Sequence, residues 1–129
     1  MKILIVMLGG FLGSISRFGL GEWLSTTNGF PTGTFVINIL GCFVLGWLLT
    51  LATINKNIPA NIVLLTGTGF LGSFTTFSTF SVETIYLVES GHRLLAVLYV
   101  LGSILIGLLC SFLGWKTAIM SSRAGGESK

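Results

Sequence analysis

An all-α integral membrane protein of four transmembrane helices, the third broken near its middle, is the fold class this sequence predicts. Three observations carry that reading. Of the 129 residues, 52% are hydrophobic and only 9% charged, whereas a soluble domain carries roughly 25% charged residues. So little charge cannot cover a globular surface. Four apolar runs each meet the roughly 20 residues needed to cross hydrocarbon. The third run is interrupted by Thr75-Thr76-Phe77-Ser78-Thr79-Phe80, which follows a glycine-rich stretch. Backbone polar groups in lipid must be satisfied within the chain, so the runs are expected to be helices.

The first span is expected over Ile3 to Leu24, followed by a turn through Ser25 to Pro31. The run is too long for a secretory signal and lacks a small-residue cleavage site, so it is expected to be retained. The second span is expected over Gly33 to Ile54, with a polar loop from Asn55 to Pro59. The third covers Ala60 to Val88 and is closed by Glu89-Ser90-Gly91-His92-Arg93. The fourth covers Leu94 to Ile119. Residues 1–120 are thus read as one transmembrane domain and residues 121–129 as a polar, disordered tail. Short loops make each helix antiparallel to the next.

An even number of spans puts both ends on one side of the membrane, with Lys2, Lys56, Lys116, Arg123 and Lys129. Arg93 and Arg17 fall toward the other side. The positive-inside rule favours cytoplasmic ends. Without the two tail residues the bias is small enough to permit insertion in both orientations. The basic residues form no stripe, so nucleic acid is not an expected partner. Cys42 and Cys110 lack the spacing of a zinc or redox pair and read as packing residues.

Polar residues at membrane depth call for a reason. Gly9, Gly13 and Arg17 share one face of the first helix. The glycines permit close helix approach. Arg17, about two turns inside the span end, either snorkels or serves an electropositive vestibule or an interhelical anchor. Thr34, Asn38 and Gly41 share a face of the second helix. Asn38 is either a satisfied interhelical contact or a pore-lining donor. In the third span, Gly67, Gly69 and Gly72 with flanking threonines make poor helix, so a break is expected from Gly72 to Thr75. Broken backbone at this depth is tolerated where it is buried or lines a cavity. Freed carbonyls there can bind a cation, and the N-terminus of the following half-helix can face an anion.

Phe77 and Phe80 lie on one face of that half-helix, interleaved with hydroxyls. Ring edges carry partial positive charge, so edges and hydroxyl donors together can coordinate a small, hard anion. Glu83, three residues on, needs a partner or water. Tyr99, Ser103, Gly107 and Cys110 recur at helical spacing in the fourth span, as a mild polar stripe or a packing seam. There is no Asp, His92 falls in a loop, and no nucleophile triad, metal cluster or phosphate loop is present. An enzyme is not expected.

These residues resemble the Fluc (CrcB) family of fluoride channels over most of the chain. The resemblance is carried by Gly9-Gly10-Phe11-Leu12-Gly13-Ser14 with Arg17, by Pro31-Thr32-Gly33-Thr34 with Asn38 and Gly41, and above all by Gly69 through Glu83. It implies a homodimer of oppositely inserted subunits in the cell membrane, with two fluoride pores lined from both. Phe77, Phe80, Asn38, Thr34, Ser78, Thr79, Tyr99 and Ser103 are then pore residues, and Arg17 and Glu83 lie at a vestibule. The resemblance also implies a structural Na+ on the dimer axis, held by backbone carbonyls of Gly72 and Thr75. The alternative is a small multidrug-type, proton-coupled cation antiporter. That function needs an acidic residue deep in the first span, where this chain has Arg17, with Glu22 only at the span's end.

Overall fold

The computed structural model describes residues 1–24 and 29–124, and every regular element among them is helical. Helix α1 is Lys2–Trp23 and α2 is Thr32–Ile54. The third span is assembled from α3 (Ala60–Val63), a π-helix (Leu64–Leu71), α4 (Gly72–Phe74) and α5 (Phe77–Glu89). Helix α6 is Arg93–Ala124. Four stretches are long and apolar enough to cross a membrane: Lys2–Trp23, Thr32–Ile54, Ala60–Glu89 and Arg93–Arg123. The expected four-span architecture with a broken third span is the observed one.

The ends of the spans obey local chemistry. Between α5 and α6 the chain turns through Gly91 at φ +83. Its N–H bonds the Val88 carbonyl at 3.1 Å, and the His92 N–H bonds the Leu87 carbonyl at 2.8 Å. This pair of bonds is a Schellman closure, for which glycine is the favoured residue. At the other side of the membrane Asn55 ends α2, and its Oδ1 accepts the Asn57 N–H at 3.1 Å. The turn expected between α1 and α2 falls largely on residues 25–28, which lie outside the described residues.

Two departures from expectation concern helix limits. Helix α6 continues through Ala124, so the first residues of the expected tail are helical. Ser121, Ser122 and Arg123 end the hydropathic run without ending the backbone ladder, and Arg123 suits a helix C-terminus. Residues 125–129 of that tail lie outside the described residues. The break also sits further along than Gly72. Gly72 remains in a helical turn, and the extended residues are Thr75 (φ -77, ψ 153) and Thr76 (φ -144, ψ 122). The weak helical propensity upstream is expressed as π-helix over Leu64–Leu71 instead of as a gap. Such wide turns are rare and recur at functional sites.

The spans pack in two parallel pairs. Helix α1 lies on the third span, with Gly9 against Leu65, Gly69 and Phe70, and Gly13 against Phe70 and Ser73. Ser73 Oγ donates to the Gly10 carbonyl at 2.7 Å across this seam. Helix α2 lies on α6, with Gly46 against the Ser111 carbonyl and Gly114 against the Phe43 carbonyl. In both seams backbone meets backbone, which only small residues permit. Lipid is as apolar as leucine, so this close packing replaces the hydrophobic effect as the force between helices.

Candidate functional site: a groove at the broken third span

The break is held open by one side chain. Asn38 of α2 donates from Nδ2 to the Thr76 carbonyl at 3.0 Å and accepts the Thr76 N–H on Oδ1 at 2.8 Å. Its amide therefore pairs with the backbone as another peptide would. Thr76 is 7% exposed, and without Asn38 both of its peptide groups would lack partners in a medium that supplies none.

That pairing has a consequence for the carbonyls around it. The N–H that would return to the Gly72 carbonyl in an α-helix is that of Thr76, which is spent on Asn38. The N–H that would serve the Thr75 carbonyl is that of Thr79, which is spent on Thr76 Oγ1 at 3.2 Å. The Leu71 carbonyl, by contrast, receives both the Thr75 N–H at 3.1 Å and Thr75 Oγ1 at 2.9 Å. Gly72 and Thr75 are thus among the carbonyls that lose their helical donors where the helix ends at the break.

Thr76 also caps the half-helix that follows. Its Oγ1 accepts the Thr79 N–H, donates to Thr79 Oγ1 at 3.0 Å and lies 3.2 Å from Ser78 Oγ. Ser78 and Thr79 are exposed and belong to this hydroxyl cluster at the start of α5.

A groove of about 400 Å3 opens beside the break. Its walls are Asn38, Gly41, Cys42 and Leu45 of α2, Gly72, Thr75, Thr76, Phe77 and Phe80 of the third span, and Ser103 and Ile104 of α6. The rings of Phe77 and Phe80 lie 5.9 Å apart, and Phe77 is 80% exposed. Ser103 Oγ is buried without a hydrogen-bond partner among the described residues. A helical serine ordinarily bonds back to its own helix. This one has no such bond, and its residue lines the groove.

Packed aromatic rings separate the groove from a second cavity. Phe80 packs on Tyr99 with centroids 5.0 Å apart, and Phe30 meets Tyr99 edge-on at 5.5 Å. Tyr99 is fully buried, and its hydroxyl donates to Glu83 Oε2 at 2.8 Å. Thr34 Oγ1 donates to Glu83 Oε1 at 2.8 Å. The Glu83 carboxylate thus has a donor on each oxygen, the partner that a carboxylate at this depth requires. Glu83 and Thr34 line a cavity of about 220 Å3 with Gly21, Phe30 and Pro31 at the α1–α2 end of the molecule.

The structure brings Asn38, Phe77, Phe80, Ser103, Gly72 and Thr75 to one groove. It separates Thr34 and Tyr99 from that groove and turns both toward Glu83. Arg17 is half-buried on α1, one turn beyond Gly13, and lines neither cavity. Sequence reasoning passed over Thr76, which joins the Asn38 pairing to the α5 cap. Its signal was available: a hydroxyl residue just before an apolar helical run, three before Thr79, is a typical cap position.

A model of the family described as CrcB-like protein, Camphor Resistance (CrcB), matches residues 4–115. The chain belongs to that family. Relatives agree along almost the whole CrcB-like chain. The protein named fluoride-specific ion channel FluC in Oceanobacillus iheyensis is 56% identical over 118 residues, covering 92% of each chain. Fluoride-specific ion channel FluC 1 of Bacillus cereus is 49% identical over 117 residues, covering 87% of this chain and 83% of its own. Fluoride-specific ion channel FluC 2 of Moorella thermoacetica is 45% identical over 120 residues, covering 92% and 97%. With its four apolar helices, this CrcB-like chain is a multi-pass protein of the cell membrane.

Proposed function

We propose that the chain is a fluoride-selective ion channel, passing fluoride out of the cell without coupling to another solute. The observation that carries this reading is kinship over 92% of the chain with a relative named a fluoride-specific ion channel. The groove supplies fitting chemistry. Fluoride is small, hard and strongly hydrated, so a path through hydrocarbon must replace its water with donors. Ser103 Oγ–H and the Asn38 amide offer hydrogen bonds, and the edges of Phe77 and Phe80 offer weaker positive potential. An inside-negative potential drives the anion outward with about 2.3 kcal/mol per 100 mV. The protein is not an enzyme on this reading.

The groove is open on one side, and Phe77 projects from it. This supports an antiparallel homodimer in which a second copy closes each groove into a pore, giving two pores. Glu83, with Thr34 and Tyr99, stands at a vestibule where fluoride leaves or regains water, and Ser78 and Thr79 meet the anion or its water near the start of α5. Arg17 adds positive potential at the membrane boundary. The carbonyls of Gly72 and Thr75, deprived of helical donors, would hold a structural Na+, one pair from each subunit. When bound, the ion supplies positive charge to the broken spans. Ion density on the two-fold axis of the dimer, flanked by these four carbonyls, is the expected outcome. Density flanked by side chains alone would overturn the assignment.

The antiporter alternative gains no support from the fold. Glu22 is exposed at the end of α1, and Glu83 is engaged by two hydroxyls.

The test is ion efflux from liposomes reconstituted with the protein. Fluoride-loaded vesicles are expected to empty far faster than protein-free ones, and chloride-loaded vesicles are expected not to. Equal fluoride loss from both preparations would reject the channel. Phe80→Ile and Ser103→Ala are each expected to slow fluoride efflux by roughly tenfold, the cost of about 1.4 kcal/mol at the barrier. Both variants should elute at the wild-type oligomeric size, because neither change removes a hydrogen bond that holds the fold.

A further inference from the structure

A third cavity, away from the Glu83 end, has no part in the proposed conduction path. It measures about 330 Å3 and lies between Leu49, Thr50, Thr53 and Ile54 of α2 and Trp115 and Ile119 of α6. Its two threonines do not make it polar. Thr50 Oγ1 donates to the Gly46 carbonyl at 2.6 Å and Thr53 Oγ1 to the Leu49 carbonyl at 2.8 Å, so both hydroxyls are satisfied by their own helix.

The depth of the groove follows from helix geometry. Gly46 lies beside Ser111 in a parallel pair, so Ile54 comes level with Ile119. Helix α2 has 23 residues, about 34 Å of helix against about 30 Å of hydrocarbon. The groove therefore occupies the outermost hydrocarbon and opens at headgroup level. Helix α6 overhangs the end of α2 and continues through Ala124. Trp115, the residue type favoured at this boundary, is half-exposed and packs on Phe112 at 5.3 Å.

Among the described residues, charge at the mouth has one sign. Lys56 follows the end of α2, Lys116 adjoins Trp115, and Arg123 stands one turn beyond Ile119 on the same face. All three are exposed. Among the described residues the acidic ones, Glu22, Glu83 and Glu89, lie toward the opposite end of the molecule. An apolar slot in the acyl layer beneath a cluster of cations matches a molecule with a hydrocarbon tail and an anionic head.

We propose that this groove binds an anionic phospholipid, one acyl chain lying in the slot and the phosphate among Lys56, Lys116 and Arg123. The test is native mass spectrometry of protein released from vesicles of equal phosphatidylglycerol and phosphatidylcholine. Retained phosphatidylglycerol is expected to exceed phosphatidylcholine by about fivefold or more, the factor one basic contact near a membrane contributes. The double variant Lys116→Gln with Arg123→Gln is expected to bring the two lipids near parity, and Trp115→Ala to lower retention of both. Elution at the wild-type size checks that each variant is folded. Equal retention by the wild type, or a preference that survives the double variant, overturns the proposal. So does efficient cross-linking of Trp115→Cys between two copies in the membrane, which would put protein where lipid is proposed.

Discussion

Replacing Asn38 with alanine is expected to abolish measurable fluoride efflux and to lower stability. The side chain makes both hydrogen bonds to the Thr76 peptide groups, at 2.8 and 3.0 Å. Their loss leaves a buried N–H and a buried carbonyl without partners, at about 1–3 kcal/mol each and more where no water can enter. The break would then close by shifting α5, which carries Phe77 and Phe80 away from Ser103. Asn38→Asp separates the two bonds. Its carboxylate still accepts the Thr76 N–H but repels the carbonyl, so efflux should fall by roughly tenfold or more, the price of one misplaced hydrogen bond. Efflux from liposomes, measured together with thermal stability in detergent, checks both. Wild-type flux in Asn38→Ala would show that the groove does not depend on this pairing.

Gly69→Leu is expected to yield no folded protein. A Cβ at Gly69 would lie 2.7 Å from the Val6 carbonyl oxygen and 2.9 Å from Gly9 Cα. Both neighbours are backbone, so neither can swing aside as a flexible side chain would. Overpacking of ordinary cores costs about 1–3 kcal/mol, and separating two backbones costs more because the whole α1 seam must open. Gly10→Leu is the control. Nothing lies within 4 Å of the added Cβ at Gly10, so the leucine faces outward and the variant should express and elute normally. Membrane-fraction yield and size-exclusion profile distinguish the two. A monodisperse Gly69→Leu protein would mean that the α1 seam is looser than its geometry implies.

Much of this molecule was legible in the sequence because the bilayer simplifies the problem. Hydrocarbon allows only satisfied backbone, so run length and charge placement located four helices to within a few residues. The third span was harder. Its glycines and threonines announced weak helix but not the form the weakness takes, and a π-helix has the same composition as a gap. The extended residues, Thr75 and Thr76, lie where a partner 38 positions away in sequence can reach them, and pairing at that separation leaves no local periodicity. Asn38 was visible as a costly amide, yet whether it was spent on backbone or left for an ion depended on that partner. It pairs with the backbone and also lines the groove. Thr34 and Tyr99 were noticed as polar residues at depth, but their common target, Glu83, appears only when α2, α5 and α6 meet. The end of α6 was misplaced for the opposite reason: hydropathy stops at the edge of the hydrocarbon, while a helix does not.

The Asn38 clasp also bears on motion. A chain interrupted in mid-span would ordinarily swivel there, since two extended residues join two short helical rods. Here the would-be pivot is tied to a neighbouring rod through the N–H and the carbonyl of one residue, Thr76. The start of the phenylalanine-bearing half is therefore tethered to α2, and any swing of it must drag that helix along or break two hydrogen bonds.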